Sequence, residues 1–131
     1  MIYLDSCVLI YAVEDDGELG AQAREALALH PDELFVTSQI ARMECLVAPL
    51  RNRNVPLEDQ YERFFEQLEI VTLTDRVFHR AADLRARNKL KSPDALHLAA
   101  AQIHGCTALW TNDARFAAAV GDFAINVFEA M

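Results

Sequence analysis

Short apolar, largely β-branched runs alternate with helix-patterned stretches along the whole of this chain, and that alternation narrows the possible folds more than any other feature. Ile2-Tyr3-Leu4 reads as a strand, followed by a helix from Cys7 to Val13 with Ser6 as its expected N-cap. Gly20 to Leu29 has helical spacing and stops at His30-Pro31. Leu34-Phe35-Val36 is the second expected strand, with a helix from about Ser38 to Val47. An amphipathic helix over Leu57 to Leu68 leads into a β-branched run, Ile70-Val71-Thr72-Leu73. Asp75 to about Asn88 is helical. Ser92-Pro93-Asp94 then starts another helix, with an expected capping hydroxyl, a proline at the first position and an acid in the first turn, running to His104-Gly105. Thr107 to Trp110, Ala114 to Val120 and Phe123 to Phe128 complete the series as strand, helix and strand. Glu14 to Gly20 and Pro49 to Pro56 read as loops. Strands alternating with helices predict a parallel sheet covered on both faces.

The chain has 131 residues, of which 53% are hydrophobic and only eight are Gly or Pro. One domain over residues 1–131 of this size buries roughly two thirds of its unfolded surface and needs neither disulfides nor a structural metal to fold. Cys7, Cys45 and Cys106 are odd in number, lie far apart among apolar neighbours and form no CxxC, as expected of buried thiols in a reducing compartment. Only Met1 to Leu4 precede Asp5, and no apolar run approaches ~18 residues, so the expectation is a cytoplasmic protein without a membrane span. Twenty carboxylates against twelve Lys plus Arg give a net charge of −8. That argues against non-specific coating of nucleic acid and leaves room for a site-specific nucleic-acid enzyme.

Four of the acids stand out. In an open parallel sheet ligands collect beyond the carboxyl ends of the strands, where Asp5 follows the first strand and Asp113 the fourth, through Thr111-Asn112-Asp113. Helix capping serves equally well as a reason for either. Glu44 lies at helical spacing from Ile40 and Val47, and an acid on an apolar face is costly unless it is paired or binds a cation; the alternative is an edge position or a buried pair with Arg42 or another arginine. Asp94 is favoured in a first helical turn by the macrodipole, yet Ala95 to Ala101 is so apolar that its helix must be internal. If the four converge, repulsion of about 4 kcal/mol acts on each pair ~4 Å apart at an effective dielectric of ~20. Such a cluster either protonates or holds a hard divalent cation, Mg²⁺ or Mn²⁺ rather than zinc.

Asp5-Ser6-Cys7-Val8-Leu9-Ile10-Tyr11 behind the first strand, Glu44 in the third helical segment, Ser92-Pro93-Asp94-Ala95-Leu96-His97-Leu98-Ala99, and Thr111-Asn112-Asp113-Ala114-Arg115-Phe116 resemble the four signature segments of PIN-domain ribonucleases, specifically the VapC-type toxins of toxin–antitoxin pairs. The similarity spans the whole chain. It implies a three-layer α/β/α domain with a mostly parallel central sheet. It also implies a Mg²⁺ or Mn²⁺ site formed by Asp5, Glu44, Asp94 and Asp113 as catalytic and metal-binding residues, with Ser6, Thr111 and Asn112 assisting. Further implications are hydrolysis of RNA by metal-activated water to a 5′-phosphate and a 3′-hydroxyl, and a cognate antitoxin as partner. Cys7 stands where many other residues would serve equally, and the loop from Glu14 to Gly20 is too generic to align; neither departure touches an expected ligand.

The segment Asp75 to Lys91 carries Arg76, Arg80, Arg85, Arg87, Lys89 and Lys91 against Asp75 and Asp83, six minus two or +4, just ahead of Asp94. Arg85, Arg87, Lys89 and Lys91 are therefore candidates for RNA phosphate contacts, or else a solvated helix face. Asp94, His97 and His104 could line one face as a metal set, although a histidine on an alanine-rich helix is more often a satisfied core residue. Trp110 and the seven phenylalanines read as core, with Phe64 and Phe65 as candidates for an interface. Arg51 to Leu68, with Tyr61, Phe64, Phe65 and Leu68 at helical spacing, offers apolar surface for a homodimer or for the antitoxin. A phosphorelay receiver would want a lysine at a late strand end, and a dehalogenase-like phosphatase a second aspartate where Cys7 stands. A metal-free RNA-binding module is the remaining alternative.

Overall fold

The computed structural model, which describes residues 1–126 and 128, is organised around the strands β1 (Ile2–Leu4), β2 (Phe35–Ser38), β3 (Glu69–Val71), β4 (Ala108–Thr111) and β5 (Ala124–Asn126). They lie in the order β3-β2-β1-β4-β5, and all four neighbouring pairs are parallel. β1 runs in the middle, with Ile2 beside both Phe35 and Ala108 and Leu4 beside Trp110. From β1 the chain builds outward to β2 and β3 on one side, then returns to place β4 and β5 on the other. The carboxyl ends of β1 and β4 thus flank the topological switch point, where an open α/β sheet forms its crevice.

Among the described residues seven helices join the strands: α1 (Ser6–Glu14), α2 (Glu18–Ala28), α3 (Gln39–Arg51), α4 (Val55–Glu66), α5 (Asp75–Arg87), α6 (Ser92–Ile103) and α7 (Ala114–Val120). Alternation along the strands sorts the core into two layers. Tyr3, Val36 and Leu109 pack with Val77, Ala81 and Leu84 of α5, Leu98 and Ala99 of α6, and Phe116 of α7. Ile2, Leu4, Ala108 and Trp110 pack on the opposite face with Val8 and Leu9 of α1, Cys45 and Leu46 of α3, and Tyr61 and Phe65 of α4. The result is the expected three-layer α/β/α domain. No helix among the described residues is long and apolar enough to cross a membrane.

Element ends differ from expectation where side chains other than the anticipated ones cap them. The N-cap of α1 is Asp5, whose carboxylate accepts from the Ser6 amide, so Ser6 is the first helical residue. α6 is preceded by Lys91 and has no side-chain cap; the Ser92 hydroxyl accepts from Arg85 instead. Pro49 lies inside α3, which continues to Arg51, so the loop expected from Pro49 to Pro56 shrinks to 52–54. Expected strand residues up to Phe128 exceed β5, and position 127 lies outside the described residues. At Gly20 a Cβ would lie 1.8 Å from the Asp15 carbonyl oxygen, so only glycine lets α2 fold back on the end of α1 there. Gly105 adopts φ +76° just beyond α6, the left-handed conformation that closes helix ends.

Tyr61 and Phe65, expected at an interface, are 0% and 5% exposed, and the Tyr61 hydroxyl donates to Glu14. They belong to the core. Part of the apolar surface left over lies on α3, where Met43, Val47 and Leu50 are 58%, 44% and 55% exposed, with Val55 at 59% beside them in sequence; Leu29, Leu34, Phe78 and Ile125 are exposed elsewhere. Among the aromatics read as core, Phe78 on α5 is the exception, half exposed.

Candidate active site

Asp5 is placed by the end of β1 and fixed from several directions. One carboxylate oxygen, Oδ1, accepts from the Ser6 amide at 2.7 Å, with the Ser6 hydroxyl at 3.5 Å. The other, Oδ2, accepts from the Thr111 hydroxyl at 2.8 Å and faces the Cys7 thiol at 3.6 Å. Thr111 is the last residue of β4, so this bond ties the two strands together at the switch point. Burial, with the Asp5 charge beside it, pushes the Cys7 thiol up to about 12, which leaves it a neutral donor. Asn112 is less engaged: its amide N–H meets Cys7 Sγ and its side chain donates to the Tyr11 hydroxyl, so it shapes the loop.

Asp113 begins α7. Its Oδ1 accepts from the Phe116 amide at 3.2 Å, and its own N–H donates to Thr111 Oγ1 at 3.0 Å. It therefore caps a helix, and it also lines a cleft of ≈ 350 Å³ with Asp94, Lys89, Leu90, Lys91 and Phe116. Asp5 and Asp113 each serve a cap and the crevice together, because the loop that ends a parallel strand also starts the next helix.

Glu44 and Asp94 reach the same region from α3 and α6. The inward side of α3 consists of Ala41, Cys45, Leu46 and Pro49, whereas Val47 faces outward, so Glu44 lies at the boundary of the buried face and not on an apolar one. Arg42 pairs with Glu62 at 2.7 Å. The partner of Glu44 is His97, whose Nε2 lies 2.7 Å from Glu44 Oε1 and 3.6 Å from Asp5 Oδ1. Asp94 is partly buried, and its carboxyl is held above the ordinary aspartate range. Burial is the largest cause, followed by the negative charges of Asp5 and Asp113; Glu44 adds to these and His97 opposes them. All four expected acids therefore act on one locality. Among the described residues no three His, Cys, Asp or Glu side chains form a ready-made metal cage. The donor set is nonetheless one of hard carboxylate oxygens with unbalanced like charge, which fits a hard divalent cation.

Burial works against a charged His97, but the Glu44 hydrogen bond and the charges of Asp5, Glu44 and Asp94 outweigh it and raise the imidazole above its ordinary value. Its Nδ1 lies 2.7 Å from the Tyr3 hydroxyl, which is in turn 2.7 Å from Ser38 Oγ. Tyr3 and Ser38, unlike His97, are neighbours of the acids that the sequence pattern does not mark; the available signal is a tyrosine in a buried central strand, whose hydroxyl must find a partner. His104 bonds the Thr72 carbonyl, and no described metal group joins it to His97 and Asp94.

The four basic candidates divide. Arg85 donates to the Leu90 carbonyl at 3.1 Å and to the Ser92 hydroxyl at 2.9 Å, so it fastens the loop between α5 and α6. Arg87 pairs with Asp83 at 2.9 Å on the surface. Lys89 and Lys91 alone of the four line the cleft that holds Asp94 and Asp113, while Leu90 between them is buried.

A doubly covered parallel sheet with acids from four segments gathered at its switch point defines the class of this domain. Residues 2–121 match the PIN domain, and the chain belongs to that family. Its structure is similar to a toxin–antitoxin complex from Klebsiella pneumoniae (26% identity, TM-score 0.82, covering 98% of this chain and 99% of that one). It shares the fold of FitAcB from Neisseria gonorrhoeae (19%, 0.81, 98% and 99%). The same holds for Mycobacterium tuberculosis VapC20, described as a toxin that cleaves the sarcin–ricin loop (16%, 0.75, 90% and 94%). None of the curated proteins matches the chain by sequence.

Proposed function

We propose that this protein is the toxin of a toxin–antitoxin pair, a metal-dependent ribonuclease that acts in the cytoplasm. The observation that carries the reading is the placement of the acids: Asp94 and Asp113 line one lysine-lined cleft, and His97 Nε2 lies 2.7 Å from Glu44 and 3.6 Å from Asp5. Family membership supports nuclease chemistry, and the toxin–antitoxin complexes among its structural neighbours support an antitoxin partner.

Asp5, Glu44, Asp94 and Asp113 would hold Mg²⁺ or Mn²⁺, which when bound supplies activation of water and charge neutralisation at the phosphate. The chain's own groups do the rest. Thr111 and the Ser6 amide fix the Asp5 carboxylate, so its charge stays at the end of β1. Lys89 and Lys91 take the RNA backbone at the cleft, supplying the local positive charge that a chain of net −8 lacks overall. The exposed apolar stripe of α3 takes a second copy of the chain, making the protein a homodimer.

The test is cleavage of RNA by the purified protein with Mn²⁺, with Mg²⁺ and in excess EDTA, followed by end-group analysis. The expected result is cleavage only with a cation, leaving 5′-phosphate and 3′-hydroxyl ends. Full cleavage in EDTA would sink the reading, and RNA bound without cleavage in Mn²⁺ would favour a catalytically silent binding module.

A further inference from the structure

A continuous hydrogen-bonded chain crosses the centre of the molecule and ends at the acids. It begins at Ser38, the last residue of β2, passes 2.7 Å to the hydroxyl of Tyr3 in β1, and another 2.7 Å to His97 Nδ1 in α6. From Nε2 it reaches Glu44 Oε1 in α3 at 2.7 Å, with Asp5 Oδ1 at 3.6 Å. Tyr3 and Ser38 are fully buried and His97 is 1% exposed.

The chemistry of the ends sets the direction of the chain. A carboxylate has no hydrogen to give, so Nε2 must donate to Glu44. In the neutral ring Nδ1 is then an acceptor, Tyr3 donates to it, and Ser38 donates to Tyr3. Solvating Glu44 does not require this bond, since its side chain is 33% exposed and has access to water. The bond's consequence is positional: a glutamate on a helix surface has three rotatable side-chain bonds, and a buried ring locked by a second hydrogen bond removes that freedom. With Oε1 on His97, Oε2 remains for a cation.

We propose that His97, held by Tyr3, is the positioning residue for Glu44, fixing that carboxylate in the orientation from which it completes the cation site with Asp5, Asp94 and Asp113. This rests on the metal-dependent reading above. The role belongs to the meeting of two central strands with α3 and α6.

Three substitutions separate positioning from packing. In His97→Gln the side-chain amide reaches the place of Nε2 and can still donate to Glu44; in His97→Asn it reaches only the place of Nδ1 and keeps the Tyr3 contact. Tyr3→Phe retains the ring and frees His97 to turn. Mn²⁺ binding to the full chain, measured by calorimetric titration and by the electron paramagnetic resonance of the free ion, is expected to weaken by roughly 10–100-fold in His97→Asn, the usual cost of losing a partner that orients a metal ligand. Tyr3→Phe should weaken it in the same direction, and His97→Gln should restore it to within a few-fold of the unaltered protein. With RNA, kcat should fall in the same order while KM holds. Folded His97→Asn or Tyr3→Phe protein that binds Mn²⁺ as the unaltered chain does would overturn the positioning role alone. So would equal losses in His97→Asn and His97→Gln that merely follow their melting temperatures. If His97→Asn fails to fold, Tyr3→Phe decides. No Mn²⁺ uptake by the unaltered protein would instead contradict the metal reading itself.

Discussion

Asp5 shows how one side chain carries a structural and a chemical duty that substitution can separate. Its carboxylate caps α1 and accepts from Thr111. Asn keeps an oxygen for the cap and can offer its amide to the threonine oxygen, so Asp5→Asn should alter stability little while lowering RNA cleavage by ~100-fold or more. Asp5→Ala should lose activity and, in denaturant melts, a further ~1 kcal/mol for the cap. Equal destabilisation by both would mean that the charge itself holds the strand ends together. His97 makes a second residue-level prediction. Its folded pKa lies above the ordinary 6.5, so its contribution to stability is fully present below that value and is lost as pH rises through the folded pKa. Metal-free protein should therefore be more stable at pH ~6 than at pH ~8, and His97→Gln should flatten that slope. A stability that rises across the same interval would contradict it.

Between α5 and α6, a short loop separates its cations by task. Arg85 ties the loop's backbone, Leu90 anchors it in the core, and Lys89 and Lys91 line the cleft. Replacing both lysines with alanine should weaken RNA binding about equally across sequences and reduce its salt slope by roughly one unit per lost phosphate contact. Arg87→Ala should leave the slope unchanged, because that guanidinium is paired with Asp83 on the surface. An unaltered slope in the double mutant would move the RNA path elsewhere, toward Arg51 and Arg53. The position of these residues was legible in the sequence, but their division was not, since which guanidinium finds a carbonyl or a carboxylate depends on how two helices meet. The same limit explains other differences. The strand-to-helix alternation and the acids after β1 and β4 are local patterns and read directly. Glu44 stands out in the sequence through its spacing from Ile40 and Val47, of which Val47 is exposed and Ile40 half-buried; its partner, His97, lies 53 positions away. Pro49 looked like a helix end and is not one. Tyr61 and Phe65 looked like surface because sequence spacing cannot say how many apolar side chains the second core layer needs.

At the scale of the molecule, the stripe of Met43, Val47 and Leu50 is apolar surface that one copy leaves uncovered. The unaltered protein should sediment as a dimer at micromolar concentration, and Met43→Glu with Leu50→Glu should make it a folded monomer; a strictly monomeric unaltered protein would contradict this. Acids brought together by the switch point of the sheet should repel one another until a cation enters. Thermal melts of the unaltered protein and of Asp94→Asn, each in EDTA and in Mn²⁺, read that repulsion. Asp94→Asn should melt higher than the unaltered protein in EDTA, since it removes a carboxylate that burial and three neighbouring acids disfavour. The order should reverse in Mn²⁺, where only the complete set of acids gains from the ion. Melts that Mn²⁺ leaves unchanged, with Asp94→Asn no more stable than the unaltered chain in EDTA, would contradict it.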